Sequence, residues 1–159
     1  MIEAASLQIS EIGIAGSELL ARIHSIAFED HDGQKWDSKT FEELFNIRGT
    51  TGYILKKNDQ PIGFILIRHL YDVVEIITFC ILPRWCKNGY ATYLLKSIIK
   101  SLKQKAFKRV FLEVRENNKA AVGLYQKCSF VQIGRREGYY SNSRSDKIDA
   151  LVMQLELSN

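Results

Sequence analysis

Apolar side chains follow two rhythms along this chain. Spacings of three and four residues mark helices: Leu19, Leu20, Ile23, Ile26 and Ala27 form one set, and Phe41, Leu44 and Phe45 form a second behind Ser38, whose hydroxyl suits an N-cap. Two helices are therefore expected ahead of the first strand. Tyr53 to Lys56 and Ile62 to Leu70 are β-rich runs flanking Asn58-Asp59-Gln60-Pro61, and turn formers between such runs predict a hairpin. Val73 to Leu82 is almost continuously apolar, as a strand covered on both faces would be, and Pro83 ends it. From Ala91 onward, Ala91, Leu94, Leu95, Ile98, Ile99 and Leu102 trace one helical face, the strongest periodic signal in the chain. Arg109 to Arg115 reads as a strand. Asn118 then caps a short helix carrying Ala121, Leu124, Tyr125 and Cys128, and Val131 to Tyr139 and Ile148 to Leu157 are the terminal strands. The predicted order is α-α-β-β-β-α-β-α-β-β, a mixed α/β sheet covered by helices.

No repeat, low-complexity tract or linker interrupts the 159 residues, so a single domain over 1–159 is expected. A composition 46% apolar and 25% charged excludes a disordered chain. No apolar run approaches the roughly 18 to 20 residues of a membrane span, and Met1 to Gly13 lacks the basic start of a signal peptide. A soluble cytoplasmic protein without a membrane partner is the expectation. Cys80, Cys86 and Cys128 are odd in number and form no CxxC pair, while His24, His31 and His69 have no ligand spacing, so no metal or disulfide framework is expected. Charge is uneven: residues 83 to 147 hold 15 Lys/Arg against 4 Asp/Glu, a local +11 that suggests an anionic partner. For Lys96, Lys100 and Lys103 the favoured reading is a solvated helix face.

The strand ending at Leu82 runs through Pro83-Arg84-Trp85-Cys86-Lys87-Asn88-Gly89-Tyr90-Ala91-Thr92 into the strong helix. A turn with Gly89 and small Ala91 at a helix N-terminus leaves backbone N–H groups free and lets an anion approach them, which suits a pyrophosphate. Neither a Walker Gly-Lys-Ser/Thr nor GxGxxG is present. A plain strand-to-helix connection would look the same.

Here the sequence resembles the GNAT superfamily of acetyl-CoA-dependent N-acetyltransferases. Cys86-Lys87-Asn88-Gly89-Tyr90-Ala91 fits its Q/R-x-x-G-x-G/A cradle at the Gly and the final Ala, with Cys86 in place of Gln or Arg. The closer resemblance is to its RimI-type branch of protein N-terminal acetyltransferases, from Trp36 to Leu157. Trp36-Asp37-Ser38-Lys39-Thr40-Phe41 is similar to W-S-x-x-x-F, and Glu75 to Pro83 to E-x-L-N-I-A-V-x-P with Thr78 for Asn. Leu112-Glu113-Val114-Arg115-Glu116-Asn117-Asn118-Lys119-Ala120-Ala121 matches L-E-V-R-x-x-N-x-x-A, the most specific stretch. Leu124 to Phe130 follows L-Y-x-x-x-G-F with Ser129 for Gly, and Arg135-Arg136-Glu137-Gly138-Tyr139-Tyr140 and Asp149-Ala150-Leu151-Val152-Met153 repeat R-x-x-Y-Y and D-A-x-x-M. The resemblance implies a GNAT-like mixed, mostly antiparallel central sheet with helices on both faces, and acetyl-CoA as cosubstrate without a metal.

It also implies roles. Lys87, Asn88, Gly89, Tyr90, Ala91 and Thr92 would hold the pyrophosphate, Asn118 the pantetheine arm, and a backbone N–H near Phe79, Cys80 and Ile81 the oxyanion. Glu113 and Tyr125 would be general base and general acid, and Trp36, Thr78, Tyr139 and Tyr140 would meet the acceptor. From the residues alone, Glu113 lies in the apolar run Val110 to Val114, where burial would raise its pKa toward a base's range. The alternative is an ion pair with Arg115 or Lys119. Tyr125 could equally be a core aromatic, and Tyr139 and Tyr140 an exposed loop. Deprotonating an α-amine of pKa about 8 at pH 7 costs about 1.4 kcal/mol, against about 4.6 kcal/mol for lysine, so one carboxylate is better matched to a protein N-terminus. A ribosomal protein is among the acceptors that branch implies, with the enzyme a monomer or weak dimer. The rivals are acetylation of a small amine or lysine, a degenerate acyl-CoA-binding module, and a nucleic-acid-binding module, the last disfavoured because Tyr93 and Phe111 fall within regular elements.

Overall fold

The computed structural model describes residues 7–29, 36–141 and 146–157; His31 lies outside them. The chain opens with a strand that the apolar pattern did not announce, β1 (Leu7–Ile12). Its six residues include Gln8, Ser10 and Glu11 and are at most half-buried, too weak an alternation to stand out. The two expected helices follow, α1 (Ser17–Ala27) and α2 (Ser38–Asn46), then β2 (Thr50–Lys57), β3 (Gln60–Leu70), β4 (Val73–Ile81), α3 (Tyr90–Gln104), β5 (Arg109–Arg115), α4 (Lys119–Lys127), β6 (Val131–Ser141) and β7 (Lys147–Glu156). Asp37, not Ser38, caps α2: its Oδ1 accepts from the Thr40 N–H at 2.9 Å. The β2–β3 turn is tighter than expected. Asn58 and Asp59 both take positive φ, 48° and 63°, the signature of a type I′ hairpin, and Pro61 belongs to β3 opposite Lys56.

The strands form one sheet in the order β1-β2-β3-β4-β5-β7-β6. Only the β4–β5 pair is parallel, as its α3 crossover requires. The apolar strand β4 is thus central, and the mixed, mostly antiparallel sheet with helices on both faces is what the structure shows. On one face Leu94, Leu95, Ile98 and Leu102 of α3, Tyr125 of α4 and its C-cap Cys128 pack on Ile65, Ile67, Val74, Ile76, Val110 and Leu112. On the other face Leu20 and Ile23 of α1 and Phe41 of α2 pack on Ile54, Phe64, Leu66 and Cys80. Among the described residues no helix is long and apolar enough to cross a membrane, and no three His, Cys, Asp or Glu side chains converge as metal ligands would.

The α1–α2 layer contains a histidine with no use for its charge. His24 is 2% exposed, stacked on Trp36 at 4.8 Å and flanked by Phe28 and Phe41. Its Nδ1 has no hydrogen-bond partner. Burial among rings disfavours the cation and lowers the pKa from 6.5 to about 4. Between those values the unfolded chain binds the extra proton, so the contribution of His24 to stability is intact above pH 6.5 and lost as pH falls toward 4. We predict that stability from urea unfolding drops by about 2 kcal/mol from this residue between pH 7.5 and 5, and that His24→Phe removes that share of the slope. An unchanged slope in a folded His24→Phe protein would assign acid lability to other groups.

Candidate active site

The site begins with an irregularity in β4. Leu66 of β3 faces Thr78, and Ile67 faces Ile76, so Ile77 has no opposite residue and forms a β-bulge. The bulge changes the phase of the strand. Val74 and Ile76 face the α3 core, but beyond the bulge Phe79 and Ile81 face it, while Ile77 and Cys80 turn to α1 and α2. Pairing with β5 covers only Val73–Ile76 against Arg109–Leu112. Past that point the parallel strands part, and the opening fills with side chains from both.

Two cavities occupy the gap. The smaller, about 120 Å³, is walled by Thr78, Glu113, Arg115 and Tyr140 among others. The larger, about 490 Å³, runs along Ile81, Trp85, Cys86, Lys87 and Gly89 to Thr92, with α4 opposite. Phe28, Phe79, Asn118, Ala121 and Tyr125 line both. The two spaces therefore meet at Tyr125.

The larger cavity ends on the uncapped N-terminus of α3. Lys87 and Gly89 both lie in the left-handed region, with φ 62° and 82°, and Gly89 as N-cap offers no side chain to the first turn. The first helical backbone bond is from Tyr93 N–H to Gly89 C=O at 3.0 Å. The N–H groups of Tyr90, Ala91 and Thr92 precede it, and no acidic residue lies in that turn. Free donors at the positive end of a helix dipole form an anion site. Asn88 does not line the cavity; its Nδ2 donates to Trp85 C=O at 3.3 Å and Cys86 C=O at 3.0 Å and holds the turn. The Cys86 thiol donates back toward Ile81 C=O at 3.5 Å, so the departure from Gln or Arg leaves the backbone cradle in place. Tyr90 is buried, its hydroxyl accepting from Lys57 Nζ at 2.6 Å. Cys80 lines the cavity but belongs to the opposite core, and burial pushes its thiol pKa far above the ordinary range.

Tyr125 is fixed by the end of α4. Phe130 N–H donates to Tyr125 C=O at 2.9 Å and Ser129 N–H to Gln126 C=O at 3.0 Å, a Schellman ending whose hydrophobic contact is the Tyr125–Phe130 ring pair, 5.5 Å between centroids. Ser129 is the left-handed residue of that ending, φ 71°, which explains why the related pattern has Gly there. Tyr125 is 7% exposed, its ring set against those of Phe79 and Phe130. Burial raises its pKa well beyond the usual phenol range, with smaller contributions from Cys80 and Cys128, so it stays protonated. Asn118 caps α4, its Oδ1 accepting from Ala121 N–H at 3.2 Å, and faces both cavities.

The Glu113 side chain is largely buried, 19% exposed, and Arg136 Nε lies 2.9 Å from Oε1. The ion pair is real, but the partner comes from β6 rather than from Arg115 or Lys119. Thr78 is buried in the smaller cavity, and Tyr140 lines it with the Arg115 guanidinium 4.5 Å from its ring. Burial chiefly, with Glu113 and Tyr139 nearby, raises the Tyr140 pKa. Tyr139 is 51% exposed beside Arg136 and lines neither cavity. Trp36 also lies outside both, in the His24 cluster. The bend that separates Tyr139 from Tyr140 is held by Asp149, which accepts from Gly138 N–H at 2.8 Å and pairs with Arg135 at 2.7 Å, keeping its carboxyl below the ordinary range. Phe28, Trp85 and Arg136 were not foreseen as site residues. Arg136 stood in the R-x-x-Y-Y run, whereas no sequence signal marked Phe28.

A model of the acetyltransferase (GNAT) family matches residues 18–130. The chain belongs to that family. A [ribosomal protein bS18]-alanine N-acetyltransferase of Haemophilus influenzae is 34% identical over 116 residues, covering 72% of this chain and 79% of the relative. An N-alpha-acetyltransferase of Saccharolobus solfataricus is 32% identical over 106 residues, 64% of this chain and 60% of the relative. The crystal structure of the ribosomal-protein-S18-alanine N-acetyltransferase from Escherichia coli superimposes with a TM-score of 0.87 at 24% identity, covering 96% of this chain and 95% of that one, and shows the shared fold. This GNAT chain is thus an N-acetyltransferase, a family whose acetyl donor is acetyl-CoA. We predict that Ser129→Gly relieves the left-handed strain at the end of α4 and raises stability by about 0.5–1 kcal/mol, about 2–4 °C in thermal unfolding. A lower melting temperature would mean that the Ser129 side chain makes a compensating contribution.

Proposed function

We propose that this enzyme moves the acetyl group of acetyl-CoA to the α-amine of a protein N-terminus, a ribosomal protein being the acceptor class that its relatives' names suggest. The observation that carries the reading is the meeting of two cavities at Tyr125, one ending on an uncapped helix N-terminus and the other on a carboxylate. The donor set at Tyr90 to Thr92 fits a pyrophosphate: three backbone N–H groups, a helix dipole and no competing acid. Bound there, acetyl-CoA supplies an activated thioester. Asn118 has an amide N–H₂ left over from capping and faces the length of the larger cavity, where it can hold an amide arm. The β4 backbone around Phe79 to Ile81, unpaired on its β5 side, offers N–H groups to the negative charge that develops on the carbonyl oxygen.

The acceptor enters from the Thr78, Glu113 and Tyr140 side. Glu113 takes the proton that leaves the nitrogen, and Tyr125, kept neutral by burial, donates one to the departing sulfur. The α-amine loses its proton more easily than lysine by about 3 kcal/mol, which suits a site that offers a single carboxylate. Cys86 does not argue for a degenerate binding module, since it leaves the backbone cradle intact.

Gly89→Val should abolish acetyl-CoA binding in calorimetry, because a branched side chain is strained at positive φ and closes the approach to the cradle. A folded Gly89→Val protein with unchanged affinity would exclude this cradle. Glu113→Gln should retain cofactor affinity and lower turnover by about 10²- to 10⁴-fold, with the deficit shrinking as pH rises and supplies neutral amine. Tyr125→Phe should slow turnover less, without rescue at high pH, and near-normal rates in both variants would remove these roles.

Mass spectrometry of products from a panel of N-terminal peptides, lysine peptides and polyamines should find acetyl groups on α-amines. Modification confined to lysine side chains or polyamines would overturn the acceptor assignment.

A further inference from the structure

Lys96, Lys100 and Lys103 do more than decorate a solvated face. They form one wall of a groove of about 470 Å³ whose opposite wall is the end of α4, where Lys127 stands, and whose floor includes Ile99, Cys128 and Leu155. The structure brings Lys127 there; sequence spacing along α3 could not. No acidic side chain lines the groove, and none of the four lysines has an ion-pair partner among the described residues. Residues 76 to 112 contain no Asp or Glu at all, so α3 lacks the i,i+4 acidic partners that usually stabilise a lysine-rich helix face. Lys96 and Lys100 are instead a like-charge i,i+4 pair.

We infer that this groove binds the phosphate backbone of RNA. Steps of four and three residues along α3 separate its lysines by about 6 and about 4.5 Å of helix axis, an even row of mobile point charges. The floor is apolar and aliphatic, where lysine stems can lie, and the lining contains no aromatic ring on which a base could stack. The contact is therefore with phosphates and is indifferent to sequence. Lys127 borders the larger cavity too, but Lys103 lies 13 residues beyond Tyr90, about 20 Å along α3 from the cradle. From Lys127 the groove runs toward the C-terminal end of α3, away from the cradle. The preference for RNA over an acidic protein rests in part on the proposed acceptor class, because a ribosomal protein is found with RNA; the test below uses no acceptor, so the two readings fail separately.

The experiment is fluorescence anisotropy of a labelled single-stranded RNA with the whole protein, with and without saturating acetyl-CoA. With four phosphate contacts, affinity should fall about 50-fold between about 50 and 200 mM salt. Lys96→Gln/Lys100→Gln/Lys103→Gln should weaken binding at least about 10-fold at the lower salt while leaving acetylation of a short peptide unchanged, and the corresponding triple arginine variant should retain binding. Acetyl-CoA should leave RNA affinity unaltered. Absence of binding at low salt, or equal binding by the triple glutamine variant, overturns the inference. Displacement of RNA by acetyl-CoA would assign the groove to the cofactor's nucleotide, and equal competition by polyglutamate of matched charge would assign it to an acidic protein; either result also overturns it.

Discussion

A parallel strand pair that stops pairing halfway is the constraint on which this enzyme depends. β4 and β5 hold each other for four residue pairs and then separate at the Ile77 bulge. An extra residue in a central strand is costly, because it disrupts a ladder that both faces of the sheet cover. What it gives in return is polar backbone exposed inside the fold, together with a reversal of side-chain phase that brings Phe79 to the α3 side. The long apolar run of β4 conceals this. Apart from Glu75, which pairs with Arg68, and Thr78, the residues from Val73 to Ile81 suit a buried strand whichever way they face, so the reversal leaves little polar mark.

The two helices beside the gap have complementary ends. α3 enters with no cap and no acid, leaving its donors for an anion, whereas α4 is closed at both ends, by Asn118 at the start and by the Schellman turn with Phe130 at the finish. An open helix end binds; a closed one positions. Tyr125 takes its place from the closed one, which holds a buried phenol where it lines both cavities. Burial that would be merely structural elsewhere keeps this group protonated.

Charge follows the same division. Glu113, Arg136, Arg115 and Tyr140 come together across three strands beside the smaller cavity. The lysines of α3 and Lys127 gather around a separate groove, with no ion-pair partner among the described residues. Arg135 and Asp149 bind the bend in β6 that turns Tyr140 inward and Tyr139 outward. An adjacent pair of tyrosines thus has two different surroundings, which tyrosine–tyrosine adjacency in sequence could not distinguish.

The sequence by itself determined the elements whose signals are local. Helical spacing gave α3 its face, Asn58-Asp59 gave the hairpin its turn, Asn118 gave α4 its cap, and the ordered motifs from Trp36 to Met153 pointed to the acetyltransferase family that the comparisons establish. It missed β1, whose pairing with β2 rather than its own weak alternation makes it a strand, and it placed the α2 cap one residue late. Only the tertiary structure decided where long-range partners meet: Arg136 against Glu113 from beyond β7, Trp36 withdrawn onto His24, Asn88 holding the turn instead of facing the cavity, and Lys127 opposite the α3 lysines. Propensity and capping act within a turn or two of chain, so residues carry them openly. Burial and ion pairing depend on strand order and on a single bulge in β4, and those arise only when the whole sheet assembles.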